Sequence, residues 1–226
     1  MRPGGELSGP PDAARTWQDL DEPWREAFRQ AWEAFRTGNV PVGAVASTAD
    51  GEIVHAARNR LTDSDGPPGE IFGSSLAHAE INVLARLPFR RYRDLVLTTT
   101  LEPCLQCAAA IRLGPVSAVR FAGRDLYWDG CHDFARLSPR EARRTQPNRI
   151  GPRRDELGAF GTLISWFGPK FTPVFEKTMR ELGEGPMLAL VHELDDTGEA
   201  RRLASLEVDA AFASLWPRLR KLRPAG

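Results

Sequence analysis

Two short motifs in this chain bring together the residue types that hydrolytic metal chemistry needs. The first is His78-Ala79-Glu80 and the second is Pro103-Cys104-Leu105-Gln106-Cys107. One imidazole and two thiolates make three ligands, a set that suits Zn2+ and leaves the fourth tetrahedral position open. A water in that position has its pKa lowered toward neutrality. Glu80 is then free to take a proton and hand it on. A redox Cys-x-x-Cys pair belongs in a thioredoxin-like context, which is absent here. A closed structural zinc site needs a fourth protein ligand, and Cys131 or His132 could supply one. An acid beside the ligands serves proton transfer rather than metal retention, so an open, reactive centre is expected.

The elements that must position these residues can be read from spacing. Asp21-Glu22-Pro23 is a helix start, followed by Trp24, Ala27, Phe28, Ala31, Trp32 and Phe35 at helical intervals and closed by Gly38. Val42 to Ala46 and Ile53 to Ala56 read as two strands joined by the turn signal Asp50-Gly51. Leu61 to Ser75 reads as a loop. A helix is expected from His78 to Leu87, a strand from Leu95 to Thr100, a helix from Cys104 to Leu113 and a strand from Ala118 to Ala122. Residues two apart do not share a helix face. His78 should therefore stand at the helix start with Glu80 in the first turn. A positive helix end at Cys104 favours thiolate.

Beyond that, Leu126 to Gly168 is less regular. Phe171, Val174, Phe175, Thr178, Met179 and Leu182 predict a helix, Met187 to Leu194 a fifth strand, and Leu206 to Leu219 a closing helix. The alternation predicts an α/β sheet with helices on its faces.

Composition bounds the remaining possibilities. The chain has 226 residues, enough for a substantial core. Thirty basic residues balance thirty acidic ones, so there is no global electrostatic pull toward nucleic acid. Three cysteines argue against a disulfide framework and fit a reducing, cytoplasmic compartment. No stretch approaches the apolar length of a membrane span. Residues 1–16 are expected to be a disordered leader, Gly/Pro-rich over Met1 to Pro11, ahead of one domain over 17–226 with an insertion at about 126–169.

His-x-Glu followed by Pro-Cys-x-x-Cys is the signature of zinc deaminases that act on bases. With Asn39-Val40-Pro41-Val42-Gly43-Ala44-Val45, Asn59-Arg60, His78 to Asn82, Thr100 to Ala108 and Gly123-Arg124-Asp125 in order, the chain resembles the cytidine deaminase-like superfamily, in its guanine deaminase and tRNA-adenosine deaminase branch. The resemblance covers about residues 22–125. It implies a three-layer α/β/α fold with a mixed five-stranded sheet. It implies Zn2+ held by His78, Cys104 and Cys107, Glu80 as proton shuttle, Asn59 bonding the base, and Val42, Gly43 and Ala44 lining its pocket. It also implies a homodimer. Read on its own, without the motif context, Asn59 is a turn residue after a strand. Glu102 could orient a ligand or cap the helix.

Two features depart from the family. The loop from Asn59 to His78 is longer than in the tRNA-editing branch, and the 126–169 segment has the place of a lid. Trp128 and His132 are its candidate substrate contacts, with Tyr127, Asp129, Cys131 and Phe134 beside them; the other reading is a packing cluster under a loop. Arg136, Arg140, Arg143, Arg144, Arg149, Arg153 and Arg154 could meet phosphates or form a solvated face. The expected substrate is a small nucleobase-like heterocycle. The alternatives are adenosine in tRNA or a non-catalytic zinc-bearing protein.

Overall fold

The helix start read at Asp21 forms as its residue types dictate. In a computed structural model, which describes residues 12–168 and 172–222, the Asp21 carboxylate accepts the Trp24 N–H at 3.1 Å and Pro23 fills the first turn. The helix that follows is α2 (Glu22–Arg36), preceded by a short α1 (Ala13–Gln18). The chain then runs β1 (Gly43–Ser47), β2 (Ile53–Arg58), α3 (Ala79–Ala85), β3 (Leu95–Leu101), α4 (Leu105–Leu113) and β4 (Val116–Gly123). After two single 3-10 turns come α5 (Pro139–Ala142), β5 (Asn148–Ile150), α6 (Glu156–Ser165), α7 (Pro173–Glu181), α8 (Gly185–Asp196), α9 (Glu199–Leu203) and α10 (Val208–Leu222). Among the described residues no helix is long and apolar enough to cross a membrane.

The five strands form one mixed sheet in the order β2-β1-β3-β4-β5. β1 pairs antiparallel with β2 and β3, while β3–β4 and β4–β5 are parallel. Gly51 closes the β1–β2 hairpin at φ +91°, a backbone that glycine adopts without strain. Side chains alternate across the sheet. Ala44 and Ala46 join Ala79, Val83 and Ile111 in a core under α3 and α4. On the other face α2 and α6 pack, and behind them α8 and α10 complete a second, larger core around Phe28, Trp32, Phe160 and Phe212. The α/β/α layering and the mixed five-stranded sheet are thus present.

The fifth strand is not where the sequence pointed. Met187 to Leu194 lies in α8, with Met187, Leu188, Leu190, Val191 and Leu194 buried at helical intervals. A short apolar run does not distinguish strand from buried helix, and Pro186 in the first turn together with Met, Leu and Ala tips it to helix. The sheet's fifth member is instead Asn148–Ile150, inside the segment expected to be irregular. That segment also holds α6, all ten residues of which are buried. Residues 1–11 of the expected leader, and Phe171, lie outside the described residues. The last residues of that leader, 13–16, are instead the start of α1, capped by Asp12; Trp17, the first residue after it, packs against Phe28 and Phe212.

α6 sits close enough to the sheet to need glycine at the contact. A Cβ on Gly161 would meet the Thr100 carbonyl oxygen at 2.3 Å and the Gly123 nitrogen at 2.8 Å. Gly161→Ala should therefore destabilise by about 1–3 kcal/mol. In a chain of this size that lowers the melting temperature by roughly 2–4 °C per kcal/mol. An unchanged melting curve would show that α6 has room to move off the sheet.

Candidate metal centre

The two ligand motifs meet because both helices begin at a ligand. His78 is the N-cap of α3 and Cys104 the N-cap of α4, and neither side chain is spent on capping its own helix. His78 Nδ1 lies 3.5 Å from the Sγ atoms of both Cys104 and Cys107. The three donor atoms all fall within 4.8 Å of one another. Ligand atoms around tetrahedral zinc are roughly 3.5–3.8 Å apart, given Zn–N near 2.0 Å and Zn–S near 2.3 Å. One imidazole and two sulfurs at that spacing fit zinc. Cys131 does not join them: its Sγ contacts the Pro103 carbonyl at 3.7 Å, and burial pushes its thiol up. Among the described residues the donor set has three members.

The electrostatics of the cluster differ between the two sulfurs. The Cys104 thiol is pulled down to about 4 by its hydrogen bond with Cys107 and by His78, against the effect of burial. Cys107 is pushed up by its bond to Cys104 and by burial. Burial lowers His78, but its hydrogen bond to Cys104 and the Glu80 charge outweigh that and raise it.

Glu80 stands in the first turn of α3, almost fully buried. Its Oε1 accepts the Thr99 hydroxyl at 3.1 Å, and the Cys107 Sγ lies 3.4 Å from Oε2. Burial first, and then the Cys104 charge, raises its pKa. Thr99 comes from β3 and faces Ala44 across the β1–β3 ladder. The Gly43 N–H donates to the Thr100 hydroxyl at 3.2 Å. The Val42 to Ala44 segment is thereby brought to the strand end that holds Glu80.

Asn59 follows β2 and is 3% exposed. Its N–H donates to the Val42 carbonyl at 3.0 Å, and its Oδ1 accepts the Leu61 N–H at 3.0 Å. The side-chain bond makes it a turn residue, yet Nδ2 makes no hydrogen bond among the described residues. Both readings of this position are therefore compatible with one geometry.

Trp128 and His132 make no hydrogen bond to His78, Glu80, Cys104 or Cys107 among the described residues, although Cys131, next to His132, reaches the Pro103 carbonyl beside Cys104. Trp128 meets Tyr127 edge to face, and Tyr127 packs on Phe175 of α7. The aromatic group is a packing cluster with one open side, since Tyr127 and Trp128 are both exposed. His132 lines two cavities, of about 330 and 760 Å3, that His78, Glu80 and the two cysteines do not line. Four of the seven arginines pair with acids: Arg136 with Asp133, Arg144 with Glu141, Arg149 with Glu102 at 2.5 Å, and Arg153 with Asp155. Glu102 bonds neither a candidate ligand nor the start of α4 and instead holds Arg149 through one oxygen. Its other oxygen accepts the Asp125 N–H at 3.4 Å.

Two residues at the site escaped the sequence reading. Thr99 is one; three consecutive buried threonines in a central strand were its signal. Asp125 is the other, quoted only as part of Gly-Arg-Asp. Burial drives its carboxyl up to about 7, assisted by Cys104, Glu102 and Glu80. Thr162 of α6 fixes this turn by bonding both the N–H and the carbonyl of Arg124, at 3.0 and 3.2 Å.

Residues 18–122 match the family described as the cytidine and deoxycytidylate deaminase zinc-binding region. A tRNA-specific adenosine deaminase of Aquifex aeolicus is 34% identical over 103 residues, 44% of this chain and 62% of that protein. The chain thus spans about three fifths of that relative's length. A structure from work on A-to-I editing by tRNA:A34 deaminases aligns at 26% identity and TM-score 0.45, over 55% of this chain and 92% of the other. The guanine deaminase from Nitrosomonas europaea aligns at 19% identity and TM-score 0.43, over 73% and 96%.

Proposed function

We propose that this chain, which belongs to the cytidine deaminase-like superfamily and carries its zinc-binding region at residues 18–122, is a hydrolytic deaminase of a nucleobase-type ring. The reaction replaces a ring amine by a carbonyl oxygen: one water is consumed and one ammonia released. The observation that carries the reading is the meeting of Glu80 with a three-member donor set, Oε2 lying 3.4 Å from the Cys107 sulfur.

His78, Cys104 and Cys107 would hold the metal. Bound zinc supplies Lewis-acid activation of water near neutral pH. Glu80 then carries the protons. It takes one from the attacking water, passes it to the ring nitrogen, and delivers the next to the departing amine. Thr99 fixes one carboxylate oxygen so that the other is held toward the ligands. Asn59 Nδ2 is the donor offered to the ring, and Val42 to Ala44 form the wall beside it. Trp128 and His132, on the 126–169 segment, are the further substrate contacts of the same proposal.

The substrate is a base, nucleoside or related small heterocycle. The balance of thirty basic and thirty acidic residues supports this, because it gives no global electrostatic pull toward a polynucleotide. The similarity to a tRNA-specific adenosine deaminase favours a second reading, adenosine in an anticodon loop. A cytoplasmic homodimer is part of the same proposal.

Ammonia release should be screened over purine and pyrimidine bases, their nucleosides and nucleotides, and a tRNA anticodon stem-loop. Release from a small heterocycle is expected. Release from the stem-loop alone would replace the first reading by the second. No release from any of them by zinc-loaded protein would overturn the enzymatic assignment.

A further inference from the structure

The long loop after Asn59 is the feature that the reaction leaves unexplained. It is not held like a mobile lid. Arg58 Nη2 and Arg60 Nη1 both bond Asp63 Oδ2, at 2.7 and 2.8 Å, and Asn39 Nδ2 bonds Asp63 Oδ1 at 2.5 Å. The Asp63 side chain is 8% exposed and that of Arg58 9%. Arg60 continues to Glu70 at 2.5 Å, and Glu70 continues to Arg86 beyond α3 at 3.2 Å. Asn39 Oδ1 in turn accepts the Thr62 N–H at 2.8 Å.

The two arginines on Asp63 are the residues on either side of Asn59. In an extended segment alternate side chains leave on opposite sides. Clamping residues 58 and 60 to one carboxylate therefore turns residue 59 the other way. Arg58 also holds the Asn59 carbonyl through Nη1 at 3.0 Å. With its N–H on Val42 and its Oδ1 on Leu61, Asn59 keeps only Nδ2 uncommitted. With every other group of the residue fixed, the one uncommitted donor, which is not itself among the buried partnerless atoms, is free to meet a ligand.

We infer that Asp63 is a positioning residue: by clamping Arg58 and Arg60 it aims the Asn59 carboxamide at the substrate ring. This rests on the deaminase reading and on Asn59 as a ring contact. The test uses zinc-loaded full-length protein and the best substrate from the screen. Asp63→Asn should raise KM by roughly three- to tenfold, the worth of one hydrogen bond, with kcat within about twofold and zinc content unchanged. Asn59→Ala should raise KM by a similar factor. In the Asn59→Ala background Asp63→Asn should add nothing further, the signature of one residue acting through the other.

Should Asp63→Asn fail to fold, Arg60→Gln, which leaves Asp63 paired with Arg58, carries the same cycle. Additive effects on KM, or a lowered melting temperature with KM unchanged, would overturn the inference and leave Asp63 a stabilising residue. A wild-type chain that releases no ammonia would sink the deaminase reading instead, before any variant is compared.

Discussion

Glu80→Gln should lower kcat by roughly 10^2–10^4-fold while the protein keeps one zinc per chain, because general acid–base catalysis contributes about that factor. The substitution is close to isosteric. The carboxamide oxygen can still accept the Thr99 hydroxyl, so the side chain keeps the hydrogen bond that now fixes it. What disappears is the capacity to take up and release a proton. The fold should not suffer: Glu80 is almost fully buried, and a buried carboxylate is costlier to desolvate than an amide. Zinc content by atomic absorption and ammonia release on the same sample separate the two roles. Turnover equal to wild type would refute the proton-shuttle assignment. Loss of zinc together with activity would instead make Glu80 part of the metal-holding shell.

The residues of that centre were visible in the sequence because their chemistry forces a local pattern. A His at a helix N-cap with an acid two residues on, and a Cys at the next N-cap with a second Cys one turn along, must be written as short motifs. Thr99 and Asp63 left no comparable trace. Their roles depend on which strand lies beside which and on how a loop folds back, and neither is encoded by spacing. The Asn59–His78 loop could be recognised as long, but its Gly, Pro, Ser and Asp content said only that it is a loop. Buried ion pairs between Arg58, Arg60, Asp63 and Glu70 appear only once the chain is folded.

The fold was legible as far as β4 for the same reason. Up to that point strands are apolar or β-branched runs, the β1–β2 turn carries its glycine, and α2 carries its Asp21 cap. Past it an edge strand and a buried helix are disguised. β5 is three residues long between Pro147 and Gly151-Pro152, too short for a period-two pattern. α6 is buried on every side, so it lacks the polar face that marks a helix in sequence, and its glycines at 158 and 161 read as loop. The apolar run in α8 then attracted the strand assignment that belonged to Asn148–Ile150.

The second large effect is expected at the sulfurs. Cys107→Ala should abolish ammonia release and leave less than stoichiometric zinc after dialysis, whereas Cys131→Ser should change neither. The two cysteines contrast in the way that matters for a metal. Cys107 lies 3.5 Å from His78 Nδ1 in a cluster with Cys104, and Cys131 spends its Sγ on the Pro103 carbonyl. Two remaining ligands cannot define a tetrahedral site, so the loss of affinity should exceed the roughly 10–100-fold that a missing outer-shell hydrogen bond costs. Removing one buried sulfur creates little void, so the melting temperature of the zinc-free forms of wild type and Cys107→Ala should be similar. The stabilisation that added zinc gives to wild type should be absent from the variant, because a metal stabilises only the state that binds it. Full zinc in Cys107→Ala, or zinc loss in Cys131→Ser, would mean that the metal is held by a different set of ligands. In the second case Cys131 would be closing the fourth position, and a sealed metal cannot serve hydrolysis.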